Sequence, residues 1–373
     1  MRSVKKVTRF IRIYGFGKTL FKVVGRARAG LKILSLFSIS KKREIGVIGC
    51  GQFSFATIGY SLKKKIGNRF AACFDVDDNA SQSFADFYGI PSASTRAEDI
   101  FSDQAIKYVY IVSNHASHTD YAISALNAGK VVYVEKPIAV SMEQLTKLHS
   151  ISKADDTVIY AGYNRPFSKA VMDLKKYAPI SDEPISMNCF ISGHMIPADH
   201  WYRNPEEGTR VCGNIGHWLD LMVHILSWGS LPDEWAIQLA FSNPDARDDD
   251  LSITMTSSRG DLVVIVLTAR CEPFEGINET INLQQGETIC KIDDFRRMSI
   301  WQDERLVNKR YWPKDVGHVA ALMQPFEKMN QRKWDEVITS SLLMLHIMDM
   351  VKSATNESNF SFKQAWEKLE QKN

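Results

Sequence analysis

The chain has 373 residues, with 46 Lys and Arg, 43 Asp and Glu, and 45% hydrophobic residues. That is enough for about two domains with their own cores, which excludes a disordered chain, a collagen-like repeat and a disulfide-stapled miniprotein. The net charge of +3 hides an asymmetry: residues 1–43 hold 13 basic side chains and no acid, leaving 33 basic and 43 acidic side chains beyond them. The acidic body excludes a nucleic-acid surface there, and no stretch approaches the roughly 20 apolar residues of a membrane span.

Residues 1–43 read as a basic N-terminal extension. Val4, Val7, Ile11 and Tyr14 recur at helical spacing, with Lys5, Lys6, Arg9 and Arg12 on other faces, and Gly15, Gly17, Gly25 and Gly30 break the segment into short pieces. Three readings stand open. Residues 1–40 form an amphipathic helix on an anionic membrane surface, or an Arg-rich transit peptide, or a helix packed on the body or on a partner subunit.

From Glu44 the pattern changes. Continuous apolar runs predict strands over 44–50, 69–75, 107–112, 131–134 and 157–161. Helices over 53–65, 78–88, 119–128 and 141–152 alternate with them. Such runs belong to a parallel sheet covered on both faces, so residues 44–164 read as a doubly wound Rossmann domain of α/β class. Beyond residue 165, strands over 185–192, 234–241, 251–257, 261–268 and 278–284 predict one larger, mostly antiparallel sheet. Helices over 213–227 and 338–352 accompany it in an α/β domain spanning 165–373. The six cysteines form no C-x-x-C pair and no zinc or disulfide spacing, and read as buried thiols of a reducing, cytoplasmic compartment.

Gly49-Cys-Gly51-Gln52-Phe53-Ser54 follows the first strand and opens the first helix. The first glycine permits a tight turn, the second lets a diphosphate approach the backbone, and the third position needs a small residue, here Ser54. The helix N-terminus adds free N–H groups and a positive dipole end. Asp75, 24 residues after Gly51, closes the second strand, where its carboxylate can accept both hydroxyls of an adenosine ribose and repel a 2′-phosphate. The expected cofactor is NAD rather than NADP. Ser113 and Asn114 end the third strand, on the edge where open α/β sheets bind ligands.

Glu135-Lys136-Pro137 after the strand VVYV, together with the turn and Asn164-Arg165-Pro166, resembles the Gfo/Idh/MocA oxidoreductase family. The resemblance implies hydride transfer between nicotinamide and a hydroxyl carbon of a sugar, polyol or nucleotide-sugar. It places Glu135 and His118 by the cofactor, and Lys136 near the nicotinamide and the reacting oxygen, with a Lys-Pro bond that is often cis. His217 matches the family histidine that takes the hydroxyl proton, and Asn214 stands where many relatives carry Asp. An amide hydrogen-bonds a hydroxyl but holds no proton, so the relay shifts onto His217 and Lys136.

The stretch Pro197-Ala-Asp-His200-Trp201-Tyr202 looks like the subgroup linked to bacterial surface polysaccharides, and makes His200, Trp201 and Tyr202 candidate sugar contacts. Arg165 meets a substrate phosphate or braces the hinge; both readings stay open. His194, His200, His217 and His224 form no metal motif, and no metal is expected. By analogy a homo-oligomer is expected, in the cytoplasm or at the inner membrane surface. A rival reading, motivated by Asn214 and the arm, is a dinucleotide-binding regulatory protein without turnover.

Overall fold

The structure is a computed structural model that describes residues 2–27, 42–91, 93–154, 156–178, 181–272, 276–328 and 331–371. Two helices open the chain, α1 (Arg2–Tyr14) and α2 (Phe16–Ala27). Next come β1 (Ile45–Ile48), a π-helical turn Ser54–Gly59 leading into α3 (Tyr60–Ile66), and β2 (Phe70–Phe74). They are followed by α4 (Asp78–Tyr88), α5 (Ala97–Ser102), β3 (Tyr108–Ile111), α6 (His118–Asn127), β4 (Val131–Val134), α7 (Met142–Ser152) and β5 (Val158–Ala161). The five strands pair in parallel in the order β2-β1-β3-β4-β5. Their apolar runs are buried because helices lie on both faces, and local signals set the helix ends. Asp77 accepts from Asn79 N to start α4, and Ser141 accepts from Gln144 N to start α7.

A short helix α8 (Lys169–Leu174) leads to β6 (Ile185–Ser192) and α9 (Gly216–Leu226). Then come β7 (Glu234–Phe241), β8 (Leu251–Ser257), β9 (Leu262–Thr268), β10 (Asn278–Gln285), β11 (Thr288–Asp293), β12 (Arg297–Gln302) and β13 (Arg305–Arg310). The chain ends with α10 (His318–Leu322), α11 (Trp334–Ser353), β14 (Glu357–Ser361) and α12 (Phe362–Gln371). The nine strands run β13-β12-β11-β10-β6-β9-β8-β7-β14, antiparallel except that β6 pairs with β9 in parallel. Alternating burial along β6 and β7 turns one face onto α9 and α11 and leaves the other open. Phe190, Leu262, Ile289 and Trp301 are exposed side chains on outward positions of these strands.

The N-terminal helices pack on the body. Phe10, Ile13 and Val24 are buried, whereas Val7 is exposed and Ile11 only half-buried, so the covered face of α1 is turned away from the expected Val7-Ile11 face. The chain turns at Gly15, but Gly17 and Gly25 lie inside α2 rather than breaking it. A Cβ on Gly25 would sit 2.8 Å from Phe55 Cδ1, and one on Gly17 2.7 Å from the Tyr60 hydroxyl. These glycines let α2 press closely onto the first domain. Gly30 lies outside the described residues. Phe21 packs at a tilt against Tyr60 (4.7 Å) and edge-on against Phe87 (5.4 Å). The end of α1 joins the other half of the molecule: Trp312 Nε1 donates to Arg12 O (2.8 Å) and Lys314 N to Ile13 O (2.8 Å). Among the described residues no helix is long and apolar enough to cross a membrane. Five cysteines are buried; Cys271, against the expectation, is exposed because it follows β9 in a surface turn.

Candidate active site

Strand order reverses between β1 and β3, and the carboxyl ends of β1, β3 and β4 open into one cleft of about 1090 Å³. Ligands bind at such a switch point in open α/β sheets. At its floor Gly49 has φ +90, and a Cβ there would lie 2.5 Å from the carbonyl of Val112; no other residue fits. A Cβ on Gly51 would meet nothing within 4 Å, so the turn leaves its backbone open to the cleft. Gln52 and Phe53 line the same opening, and Ser54 is buried behind it.

Cys50 N donates to Asp75 Oδ2 (2.6 Å) and Asp77 N to Oδ1 (3.0 Å). The carboxylate is thus fixed at the end of β2 with lone pairs left for ribose hydroxyls. An open glycine turn at a helix start, with an oriented carboxylate beside it, fits a dinucleotide.

Ser113, Asn114 and His118 line the next part of the cleft. Ser117 Oγ donates to Ser113 Oγ (2.8 Å), and Asn114 Nδ2 donates to Glu207 Oε1 (2.6 Å) across the domains. His118 is buried between Pro137 O (2.8 Å from Nδ1) and Ser113 O (3.1 Å from Nε2). Burial lowers its pKa to about 4, so at neutral pH its single N–H ties one carbonyl only. It fastens the turn that carries the next two residues.

The Lys136-Pro137 bond is cis. Lys136 Nζ donates to Gly213 O (2.6 Å), leaving two N–H bonds for the cleft. Glu135 accepts from Tyr133 Oη (3.1 Å) and from Lys136 N (3.3 Å). Burial raises the Glu135 carboxyl and lowers the Lys136 ammonium, each opposed by the other's charge.

Gly213 belongs to a π-helical turn, Val211–Ile215, that runs into α9. Such turns release backbone groups for side-chain contacts. Asn214 and His217 both face the cleft from this stretch. Asn214 Oδ1 accepts from Arg210 Nε (3.2 Å). His217 Nδ1 is buried with no partner among the described residues. Burial first, then the charges of Arg165 and Lys136, hold the ring's pKa well below the usual imidazole value. It is a neutral base at pH 7.

His200, Trp201 and Tyr202 form the far wall with His115, whose ring lies 5.1 Å from Trp201 and 4.7 Å from Tyr202. Arg165 lines the cleft too, but its guanidinium is buried and clamped bidentately by Glu279 (2.8 and 3.0 Å), and it lies 4.2 Å over Trp218. Sequence reasoning missed His318, which lines the cleft from the start of α10 and stacks on Phe53 at 5.5 Å. It also missed Phe10, Tyr14, Lys18 and Lys22 of the arm. The other tempting ligands point elsewhere: Asp220 accepts from Arg332 and Ser340, and His224 contacts Glu336. Among the described residues no group of three His, Cys, Asp or Glu converges.

Known proteins bear on this geometry. The chain is 30% identical over 189 residues to "Oxidoreductase P35" of Formosa agariphila, covering 48% of this chain and 59% of that protein. It is 23% identical over 241 residues to inositol 2-dehydrogenase of Serratia proteamaculans, covering 61% of this chain and 68% of that one. The fold superposes on levoglucosan dehydrogenase in complex with NADH and levoglucosan with TM-score 0.69 at 14% identity, over 86% of this chain and 99% of the other. Residues 43–163 match the family described as "Oxidoreductase family, NAD-binding Rossmann fold". The matched stretch, whose family model is that of the Gfo/Idh/MocA oxidoreductases, is the part of the chain that carries the phosphate turn, Asp75 and Lys136.

Proposed function

We propose that the chain is an NAD-dependent dehydrogenase that moves a hydride between nicotinamide and a hydroxyl carbon of a sugar, polyol or nucleotide-sugar. The observation that carries this reading is the convergence of Lys136 and His217 on the cleft that contains the phosphate turn. The similarity to inositol 2-dehydrogenase in sequence and to levoglucosan dehydrogenase in fold supports it.

Gly49, Gly51, Gln52, Phe53 and Asp75 hold the dinucleotide, and Ser113, Asn114, His118 and Glu135 shape its nicotinamide end. Bound NAD supplies the hydride acceptor. The substrate hydroxyl lies between Lys136 and His217. His217 takes the hydroxyl proton on its ring nitrogen, and the remaining Lys136 N–H bonds steady the developing oxyanion and then the carbonyl oxygen. In the reducing direction the imidazolium returns the proton.

With Oδ1 held by Arg210, Asn214 presents its NH₂ to a substrate oxygen. Burial keeps His217 neutral, and Arg165, held in place by Glu279, adds to this through its charge. His200, Trp201 and Tyr202 give the sugar ring C–H faces to stack on and polar groups to meet. Asp75 favours NAD over NADP by repelling a 2′-phosphate.

The Pro197–Tyr202 stretch and the aromatic wall support a surface-glycan sugar as substrate. The outward apolar positions on the nine-stranded sheet suit a second copy of the chain. The five buried thiols suit a cytoplasmic, reducing setting.

The test is a fluorescence titration with NADH and, separately, NADPH, followed by a turnover screen of sugars, polyols and nucleotide-sugars with the preferred cofactor. Tighter binding of NADH and oxidation of one substrate are expected. Dinucleotide binding with no turnover across the screen favours the regulatory reading instead.

A further inference from the structure

The N-terminal arm crosses the mouth of the cofactor cleft. Lys18 and Lys22 of α2 are four residues apart, so they share one face of the helix, and both line the cleft that Gly51, Gln52 and Phe53 open. Gln52 Nε2 donates to Lys22 O (3.2 Å), which fixes this turn of α2 against the phosphate turn itself.

Neither ammonium has an ion pair or a hydrogen bond among the described residues; each rests on rings instead. Lys22 lies 4.4 Å from the Phe10 centroid and 6.0 Å from that of Tyr14, and Lys18 lies 5.5 Å from Tyr14. The charges around Lys22 are Arg26, Lys18 and Lys6, all cations; Lys18 feels Lys314 and, with the opposite sign, Asp315. Burial lowers both ammonium groups, Lys22 to about 8. Two desolvated cations opposed by Asp315 alone, and only at Lys18, are unfavourable unless a ligand supplies a further anion.

We propose that Lys18 and Lys22 form the second half of a diphosphate site. On this assignment the turn at Gly51 binds the dinucleotide's diphosphate from below, and the arm closes over it with two ammonium groups. The inference rests on the reading that the cleft takes a nicotinamide dinucleotide. The ligand chemistry is a diphosphate diester. The contact between Gln52 and Lys22 assigns it to the cofactor rather than to a nucleotide-sugar.

The experiment titrates the full chain, the double variant Lys18→Ala/Lys22→Ala and the milder Lys18→Gln/Lys22→Gln with NADH by fluorescence. The control is Lys64→Ala/Lys65→Ala, outside the cleft. Each lysine is worth about tenfold in affinity, so both double variants should bind NADH about 100-fold more weakly, with the control unchanged. Thermal unfolding without ligand should stay level or rise in the variants, because a repulsive pair is gone, which separates lost binding from lost folding.

Wild-type NADH affinity in both double variants overturns the proposal while leaving the dehydrogenase reading intact. A wild-type chain that binds no NADH removes both. Calorimetry with UDP-glucose separates the sources: variants that lose UDP-glucose binding but keep NADH binding overturn the assignment to the cofactor.

Discussion

Arg210 Nε donates to Asn214 Oδ1 at 3.2 Å, and this bond decides which end of the amide faces the cleft. Arginine only donates, so the oxygen must turn towards it and leave the NH₂ for the cleft. Arg210 is itself buried and pinned by Asp249 Oδ1 (2.8 Å) and His194 O (2.9 Å). Arg210→Met fills the space and leaves Asp249 paired with Arg203. The amide is then free to rotate. We expect kcat/KM to fall about tenfold with NADH affinity unchanged, as steady-state kinetics beside a fluorescence titration will read.

On the proposed reading, Lys136→Ala and His217→Ala remove the oxyanion partner and the base. Each should lower kcat by about 10²–10⁴-fold and leave NADH binding within about twofold. Because His217 is held below its ordinary pKa, it stays an unprotonated base at pH 7 and into mildly acidic solution. Oxidative turnover should therefore decline only below the usual imidazole range of about 6.5. A pH–rate profile that declines already above pH 7 on its acid side would count against this role.

Dinucleotide affinity should fall as pH rises through about 8, where Lys22 loses its proton. A bound diphosphate favours the charged form, so binding draws a proton into the site, and alkaline pH removes that contribution. Arg26, Lys6 and Lys18 face Lys22 with the same charge, and Asp315 opposes them at Lys18. NADH dissociation constants measured from pH 7 to 10 should climb in the wild type and climb less steeply in Lys22→Met, which keeps Lys18 as the remaining titrating cation of the pair.

Gly25→Val places a side chain where a Cβ alone would lie 2.8 Å from Phe55 and 3.2 Å from the Gln52 amide. Overpacking of this kind costs about 1–3 kcal/mol, and the arm can relieve it by lifting away. Limited trypsin digestion should cut the variant within the basic first 27 residues faster than it cuts the wild type. Equal digestion rates would show that the helix tolerates the change.

Glu279→Gln breaks a buried bidentate pair and leaves the Arg165 guanidinium uncompensated over Trp218. Removal of one partner of such a pair costs about 3–5 kcal/mol, so a clear fall in Tm is expected by calorimetry.

Much of this arrangement is legible in the residues. The bounds of β6, β7 and β8 follow from period-two alternation on a sheet with one covered face, and those of β4 from an unbroken apolar run. β11, β12, β13 and β14 escaped notice; RLVNKR of β13, at the edge of the sheet, sets only Leu306 and Val307 among polar residues. The parallel pairing of β6 with β9 has no local signal, since partners so far apart are chosen by the whole sheet. Motifs carried Asp75, Lys136 and His217 into the cleft. His318 had none; it arrives only because Gly317, at φ +91, lies against the Asn164 backbone. Lys18 and Lys22 sat inside a uniformly basic segment, where composition cannot tell a solvated lysine from one folded over a site.

The first domain is not finished by residues 44–164 alone. Tyr110, in the centre of its sheet, donates its hydroxyl to Leu322 O (2.7 Å), Tyr108 packs on Phe326 at 4.5 Å, and Leu322 and Met323 are buried among its core side chains. A ribosome must therefore deliver nearly nine-tenths of the chain before the last pieces of that core are available. Until then the nascent domain leaves the Tyr110 hydroxyl to water and an aromatic face uncovered. Chaperones that hold early apolar surface have their longest window on this half of the molecule. A fragment ending at residue 164 would remain in that state indefinitely.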